Sequence, residues 1–298
     1  MTRIHRRQLL QRAALGGLGL SALPLVHAFA GEKKPQRILY FTRSAGYMHS
    51  VVDRRGKPLA FSETILQDLG RKHGLDVRCS QDGALFDGDL DRFDGFVFYT
   101  SGNLLAAPER PQEGQPMTTR GKQRLLDAVA AGKGFVGIHA ATDPFRREKL
   151  DDMNVDPYLA MLGGEFIEHA SQQKAKMRVT SPNFPGMEKL GNGFVMREEW
   201  YTFRKFAPDL HVILVQETAG MHDRPYERPP YPATWARMHG QGRVFYTSLG
   251  HREDVWNDPT FQQILLGGID WALKNVDADV TPNLKQVTPG AEEVPKRK

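Results

Sequence analysis

Short apolar runs alternate with amphipathic segments along the first half of the chain. Four of these runs predict strands: Arg37–Thr42, Leu75–Cys79, Asp94–Thr100 and Phe135–His139. Helical spacing of apolar residues separates them, in Phe61–His73 and in a segment that begins at Thr118 or Thr119 and ends at Gly132. Strands that are apolar on both faces and alternate with helices are typical of a parallel sheet covered on both sides. The pattern therefore predicts an α/β fold with a doubly wound, mostly parallel sheet.

The second half is less regular. Lys174–Thr180 has the alternation of an exposed strand, and His211–Gln216 has the composition of a buried one. Ala233–Met238 and Arg243–Leu249 flank a short Gly-containing segment, which predicts a β-hairpin excursion from the sheet. Thr260–Leu273, which follows an Asp-Pro pair, is expected to close the fold as a helix.

Two loops and the C-terminal segment lie outside this pattern. Ala107–Met117 and the proline-rich Ala219–Pro232 are predicted to be surface excursions that could cover a site. From Asn275 onward the chain contains proline and many charged residues, so residues 275–298 are expected to be a tail that adds nothing to the core. The domain itself is expected to span residues 36–274.

The formal net charge is +5, from 40 Lys and Arg residues against 35 Asp and Glu residues. Such a balance can indicate an anionic partner, such as nucleic acid or a membrane surface. The first 30 residues, however, contain Arg3, Arg6, Arg7 and Arg12 and no acid, and the rest of the chain has 36 basic and 35 acidic residues. The charge therefore gives no support for nucleic-acid binding.

Residues 1–30 have the organisation of a bacterial export signal. Arg6 and Arg7 precede an uncharged stretch rich in Ala, Leu and Gly, which ends in the small-x-small cleavage site Ala28-Phe29-Ala30. The paired arginines favour the twin-arginine route. We expect export to the periplasm or the exterior and no membrane span once the signal is removed, because no later stretch reaches the ~18–20 apolar residues that a span requires. An uncleaved anchor is the alternative.

Several common catalytic and cofactor motifs are misplaced or absent. Gly132-Lys-Gly-Phe-Val-Gly137 matches the dinucleotide fingerprint, but it follows a predicted helix and leads into a strand, the reverse of the required order. These glycines are expected to end the helix and to allow close packing. The sequence has no Walker-type loop and no G-x-S-x-G elbow. Cys79 is the single cysteine, and its position in a strand predicts a buried, inert thiol.

Histidines carry the strongest chemical signal. His49, His139 and His251 each stand at or just beyond the carboxyl end of a predicted strand, the edge that forms the ligand crevice in open α/β sheets. His169 and the acidic pair Glu198-Glu199 could join them. Imidazoles and carboxylates suit proton transfer, or a divalent metal held by His and Glu. No H-E-x-x-H motif or cysteine pair fixes a ligand spacing, so a metal stays an open alternative, with candidate ligands His49, His139, His169 and His251.

Aromatic residues are frequent near these segments. They either pack in the core or offer flat faces on which the C–H groups of sugar rings could stack. The residues concerned are Tyr47, Trp200, Tyr201, Phe203, Trp235 and Trp256.

Five segments, taken together, resemble the ThuA-like (trehalose-utilisation) family, and they occur in the family's order over roughly residues 36–274. They are Phe41-Thr-Arg-Ser-Ala-Gly-Tyr-Met-His49-Ser, Gly137-Ile-His139-Ala-Ala-Thr-Asp143, Gly163-Gly-Glu-Phe-Ile-Glu-His169, Glu198-Glu199-Trp-Tyr-Thr-Phe203 and Gly242-Arg-Val-Phe-Tyr-Thr-Ser-Leu-Gly250-His251. Two positions depart from the family pattern: Glu198 stands where Asp is common, and Met48 stands where a basic residue is frequent.

The resemblance implies a flavodoxin-like fold similar to class I glutamine amidotransferases. In those enzymes a cysteine stands at the strand-end elbow, whereas the matching position here is His139, so amidotransfer is excluded. The resemblance also implies disaccharide catabolism through 3-keto sugars. In such a sugar the C3 carbonyl acidifies the C2 proton, and the anomeric leaving group is β to that carbonyl.

We therefore predict an exported carbohydrate-processing protein acting on 3-keto-glycosides or related disaccharide derivatives by His/Glu acid–base chemistry. His139 or Glu199 would be the base, while His49, His169 and His251 would orient substrate, donate protons or bind a metal that stabilises the enolate. The residues expected to contact the sugar are Tyr47, Asp143, Trp200, Tyr201 and Trp235.

Two other functions remain open. One is a non-catalytic carbohydrate-binding or accessory protein, which would bind sugar through the aromatic residues and tolerate loss of the histidines. The other is a metal-dependent glycoside hydrolase, which would be inactivated by a chelator. In each case the expected partner is a small-molecule sugar. For the keto-glycoside reaction, a sugar oxidoreductase could act in the same pathway.

Overall fold

A nine-stranded sheet is the centre of the computed structural model, which describes residues 34–146 and 154–295. Two further short strands form a separate pair. The strands are β1 (Gln36–Phe41), β2 (Leu75–Ser80), β3 (Gly95–Phe98), β4 (Gly134–Ile138), β5 (Glu165–Phe166), β6 (Gln173–Val179), β7 (Gly193–Glu198), β8 (Phe203–Arg204), β9 (His211–Glu217), β10 (Tyr231–His239) and β11 (Gly242–Thr247). The helices are α1 (Phe61–Lys72), α2 (Thr119–Ala130), α3 (Pro157–Leu162), α4 (Glu253–Trp256), α5 (Pro259–Ala272) and α6 (Leu284–Val287).

The central sheet has a parallel half and an antiparallel half. Its strand order is β2-β1-β3-β4-β11-β10-β9-β6-β7. The first five strands pair in parallel, in the flavodoxin-like order, and from β10 onward every pairing is antiparallel. The predicted α/β fold with a mainly parallel sheet is confirmed, and the predicted hairpin is the β10–β11 pair at which the two halves meet.

Helices cover the parallel half because its strands are apolar on both faces. Strands β1, β3 and β4 are buried over most or all of their length. Helices α1, α4 and α5 contact one another and form one layer, whereas α2 and α3 form another. Side-chain caps stand at the start of two helices: Thr118 accepts a hydrogen bond from the Gly121 amide ahead of α2, and Asp258 accepts one from the Thr260 amide ahead of α5.

The glycines of the Gly132–Gly137 segment have the structural roles expected of them. Gly132 follows α2 with a φ of +124°, a conformation that favours glycine. Gly134 lies against the backbone of Ala272, so close that a Cβ would come within 2.6 Å of its carbonyl oxygen. The segment therefore ends a helix and brings β4 against α5.

Elements without a clear sequence pattern were not predicted. Strands β5 and β8 have two residues each, too few for an alternation to be visible. Strand β7 presents alternating intermediate and exposed residues, because it lies at the outer end of the sheet. Helix α3 is a short segment capped by Asp156.

The C-terminal segment contributes to the core, contrary to the expectation for residues 275–298. Leu284 and Ala291 are both buried in the hydrophobic core, and the Asn283 side chain accepts a hydrogen bond from the Val212 amide of β9. Arg228 donates to the Ala291 carbonyl. The composition of the C-terminal segment did not indicate this packing, because a few apolar residues among many charged ones are enough to anchor a segment to the core.

The predicted export signal, residues 1–30, lies outside the described residues. Among the residues that the structure describes, no helix is long and apolar enough to cross a membrane.

The packing of the C-terminal segment can be tested with Leu284→Ala. We expect this substitution to lower the free energy of unfolding by about 2–3 kcal/mol, because it removes buried methyl groups and leaves a cavity. Urea denaturation measures the change. The control is Val276→Ala in the same segment, where the side chain is exposed and the expected change is under about 0.5 kcal/mol. Equal effects of the two substitutions would contradict the assignment.

Candidate functional site

Three histidines meet at the carboxyl edge of the parallel strands, as the sequence predicts. His49 lies in the loop after β1, His139 immediately follows β4, and His251 follows β11. Their ring centroids are 5.1 Å apart for His49 and His139, 5.2 Å for His49 and His251, and 5.1 Å for His139 and His251. The three imidazoles therefore form a nearly equilateral triangle.

His139 occupies a strained elbow between β4 and the short 3₁₀ turn His139–Thr142. Its φ is +43°, a conformation that is costly for a residue with a Cβ. The Tyr246 hydroxyl donates a 2.7 Å hydrogen bond to the His139 carbonyl, and Nδ1 of the imidazole lies 2.8 Å from the Ser248 carbonyl oxygen. Since a carbonyl only accepts, Nδ1 carries the proton, and Nε2 of the neutral ring is left with a free lone pair.

The antiparallel half supplies two adjacent carboxylates with different surroundings. Glu198, the last residue of β7, accepts hydrogen bonds from the amides of Glu199, Gly250 and His251 at 2.9–3.0 Å. It thereby fixes the backbone that carries His251. Glu199 points to the histidines: its Oε2 lies 3.0 Å from His251 Nδ1 and 3.5 Å from His139 Nε2.

A fourth histidine approaches the other oxygen of Glu199. His169, just after β5, places Nδ1 3.4 Å from Glu199 Oε1 and 3.1 Å from the Ala170 carbonyl. Its side chain is 41% exposed, whereas His49 and His139 are buried and the side chain of His251 is 13% exposed. The Tyr201 ring is tilted by 42° against His139, at a centroid distance of 4.1 Å, and is stacked parallel to His169 at 5.6 Å.

Burial and mutual charge shift the pKa values of the cluster in opposite directions. Burial lowers the pKa of His49 and of His139. Burial would also lower that of His251, but the hydrogen bond and charge of Glu199 outweigh it and raise the pKa. Burial opposes ionisation of Glu199, yet its contacts with His139 and His251 hold its pKa well below the usual range. Burial raises the pKa of Glu198 to about 7.

A cavity of about 790 Å³ opens above this cluster. It is lined by residues from the loops after β1, β3, β4, β5 and β7: Ala45, Gly46, Tyr47, His49, Ser101, Gly102, Asn103, Ala106, Ala107, Glu109, Asp143, Phe145, Arg146, Phe166, His169, Glu199 and Tyr201. The volume lies in the range of small-molecule sites. The predicted loop Ala107–Met117 contributes to its wall.

Some predicted site residues do not reach the cavity. Trp200 and Trp235 are fully buried, and their indole N–H groups donate to the carbonyls of Gln173 and Leu162. These tryptophans are core residues, so the expectation that they contact the sugar is corrected. His139 and His251 lie near the floor without lining it. Loop Ala219–Pro232 contacts the backbone between Glu199 and Tyr201, because the Tyr226 hydroxyl donates a hydrogen bond to the Trp200 carbonyl.

Other predicted residues do face the cavity, together with several that the sequence analysis missed. Tyr47 is 67% exposed and lies edge-on to His49, and Asp143 accepts hydrogen bonds from the Gly102 amide and Arg146. Arg146, Asn103 and Glu109 were missed because isolated polar residues in loops carry no pattern. Cys79 is distant from the cavity wall, and burial raises its thiol pKa, as expected of an inert cysteine.

The strand order and the strained residue after β4 define a protein of the class I glutamine amidotransferase-like fold, with histidine at the elbow. A model of the ThuA family, described as trehalose utilisation, matches residues 37–272. The chain therefore belongs to the ThuA family.

Solved structures agree with this fold. The chain is similar to a ThuA-like protein from Bacteroides uniformis ATCC 8492, with a TM-score of 0.62 and 16% identity over 83% of this chain and 94% of that one. It is also similar to a ThuA-like protein from Parabacteroides merdae ATCC 43184, with a TM-score of 0.57 and 18% identity over 89% and 98% of the two chains. A comparison with curated proteins finds no match.

The strain at the elbow can be measured by comparing His139→Gly with His139→Ala. Both variants lose the imidazole, but only glycine adopts a positive φ without cost, so we expect the Gly variant to be more stable by about 1 kcal/mol in urea denaturation. At the neighbouring Ala140, which is buried and has no positive φ, Ala140→Gly should instead destabilise the protein. A Gly variant at 139 less stable than the Ala variant would contradict the strain.

Proposed function

We propose that this protein is an enzyme that removes the C2 proton of 3-keto-glycosides and so releases the anomeric substituent. The observation that carries the proposal is the cavity in which His169 and Glu199 face a space large enough for a disaccharide. Polar side chains around it, among them Asn103, Asp143 and Arg146, are suited to sugar hydroxyls.

The chemistry follows from the position of the carbonyl. A base takes the C2 proton, and the electrons of the C2–H bond form an enolate with the C3 oxygen. Collapse of the enolate forms the C1=C2 double bond and breaks the C1–O bond. The departing alkoxide takes a proton from an acid, so the products are an unsaturated keto sugar and an alcohol.

We assign proton transfer to His169. His139, one of the two bases expected from the sequence, is fully buried and does not line the cavity. Glu199, the other, is held strongly ionised by its histidine partners, which makes it a weak base but a good orienting group. Donation from His169 Nδ1 to Glu199 Oε1 or to the Ala170 carbonyl leaves Nε2 as the nitrogen able to accept a proton.

A non-catalytic sugar-binding role has less support. It depends on aromatic platforms, and of the tryptophans expected to provide them, Trp200 and Trp235 are sealed in the core. Tyr47 is the aromatic side chain that stands exposed at the cavity.

The setting of the reaction is also a proposal. The keto group must be made by a sugar oxidation, so an oxidoreductase would supply the substrate. The sequence of residues 1–30 supports a location outside the cytoplasm.

Proton exchange in heavy water tests the proposed reaction. A 3-keto-disaccharide incubated with the protein in D₂O should lose its C2–H signal in the NMR spectrum and release the free sugar. The unoxidised disaccharide should do neither, because its C2 proton is not acidic. If both substrates stay unchanged while still binding, the protein is a binding protein and the proposal fails.

His169→Ala should lower kcat for this exchange by about 10²–10⁴-fold, the usual effect of losing a general base. The control is His73→Ala, since His73 ends α1 at the opposite edge of the sheet and should leave kcat unchanged. Equal activity of the two variants would remove His169 from the mechanism.

Tyr47 is expected to contribute to binding and not to chemistry. Tyr47→Ala should raise KM about 2- to 10-fold with kcat nearly constant, because the ring offers a stacking face and no proton at the reacting carbon. Tyr47→Phe keeps the face and should keep the KM of the unmodified protein. A fall in kcat alone, with KM unchanged, would show that the ring has another role.

A further inference from the structure

The buried part of the cluster has more lone pairs than protons. His139 Nδ1 donates a hydrogen bond to the Ser248 carbonyl, so the neutral ring offers only a lone pair at Nε2. That lone pair and Glu199 Oε2 both face His251 Nδ1, at 3.3 and 3.0 Å, and this nitrogen has one proton for two acceptors. Nδ1 of His49 is buried and has no hydrogen-bond partner among the described residues. A cation bound among these atoms would accept the lone pairs that no proton satisfies.

The distances match those of a tetrahedral metal site. With metal–nitrogen bonds of about 2.0–2.1 Å, neighbouring ligand atoms lie about 3.3 Å apart and the centres of imidazole ligands about 5.2 Å apart. Here three ligand atoms, from His139, His251 and Glu199, are separated by 3.0–3.5 Å. The three ring centroids are separated by 5.1–5.2 Å. One ligand atom from each of the four residues, His49 included, lies within 4.8 Å of the others.

Groups behind three of the four residues fix them as the outer partners of metal ligands usually do. The Ser248 carbonyl orients His139, the Tyr201 hydroxyl lies 3.3 Å from His49 Nε2, and Glu198 holds the backbone amide of His251. These contacts set ring orientations before any ion arrives. His169 stands apart, because it approaches Glu199 Oε1, the oxygen that faces away from His139 and His251.

We propose that His49, His139, His251 and Glu199 bind one divalent transition-metal ion at the floor of the cavity. A set of three imidazoles and one carboxylate suits Zn²⁺ and its neighbours in the first transition row and not Mg²⁺ or Ca²⁺, which prefer oxygen ligands. The assignment stands on ligand geometry and goes beyond the proposed reaction.

The role of the ion rests on the proposed function. Because the four protein ligands would fill a tetrahedral shell, the cation would act on a bound keto sugar through its charge, by stabilising the negative C3 oxygen that develops when the C2 proton leaves. His169 stays free of the metal and accepts that proton. His139 and His251, which do not line the cavity, then act from below the substrate.

Metal binding is tested directly on the full chain. Protein stripped with EDTA and titrated with Zn²⁺ should bind one ion per chain by calorimetry and elemental analysis, and Co²⁺ should give the intense visible absorption of tetrahedral sites. His251→Ala and Glu199→Gln should each weaken binding by at least about 10-fold. His49→Gln provides a third variant on a different loop, should either of the others fail to fold.

His169→Ala is the matched control, because it removes an imidazole 3.4 Å from Glu199 that is not a proposed ligand. It should retain one ion per chain. Absence of stoichiometric binding to the folded protein, or binding that survives loss of His251 and Glu199 together, would overturn the site.

The same samples separate this inference from the proposed reaction. C2–H exchange that is lost with EDTA and restored by Zn²⁺ supports both the site and its role. Stoichiometric binding without any exchange supports the site and contradicts the reaction. Exchange that is unaffected when elemental analysis finds no metal overturns the role given to the ion and leaves the reaction standing.

Discussion

One buried carboxylate organises the site. An ionised carboxylate away from water is costly unless hydrogen-bond donors or cations surround it. Glu199 meets this demand with imidazoles from two separate loops, that of His251 at Oε2 and that of His169 at Oε1. Its neighbour Glu198 meets the same demand with backbone amides, and burial raises its pKa to about 7 while that of Glu199 falls. Two identical side chains, one residue apart, thus serve as a loop clamp and as the centre of the site.

Much of the parallel half could be predicted from the sequence, because strands buried on both faces leave a strong apolar signal. The meeting of His49, His139 and His251 followed from that prediction, since parallel strands end at a common edge. That Glu199 could join them was expected from its residue type and from the family resemblance. The strand pattern did not indicate it, because β7 lies at the opposite end of the sheet and its side chains alternate weakly. The burial of Trp200 and Trp235 could not be predicted either, because residue type alone does not distinguish a core tryptophan from one that stacks on a sugar.

The conformation of the elbow after β4 is fixed by backbone contacts and not by the side chain at position 139. Its positive φ is held by Tyr246 and by the close packing of the turn, and neither depends on the chemistry of residue 139. In amidotransferases of this fold the position presents a nucleophile. Here it presents an imidazole that does not line the cavity, whereas Glu199 and His169, from the loops after β7 and β5, do. The two kinds of protein share the fold, but here the residue at the elbow lies one layer of side chains below the cavity wall.

The strand order has a consequence for how the cluster of His49, His139, Glu199 and His251 is assembled. The four residues of the cluster are contributed by loops between positions 49 and 251, and the two halves of the sheet join only through the late hairpin β10–β11. Contacts between residues so far apart in the sequence form slowly, after the local contacts have formed. A fragment that ends before His251 lacks one of the four members of the cluster. Assembly of the four-residue cluster therefore requires the completed fold.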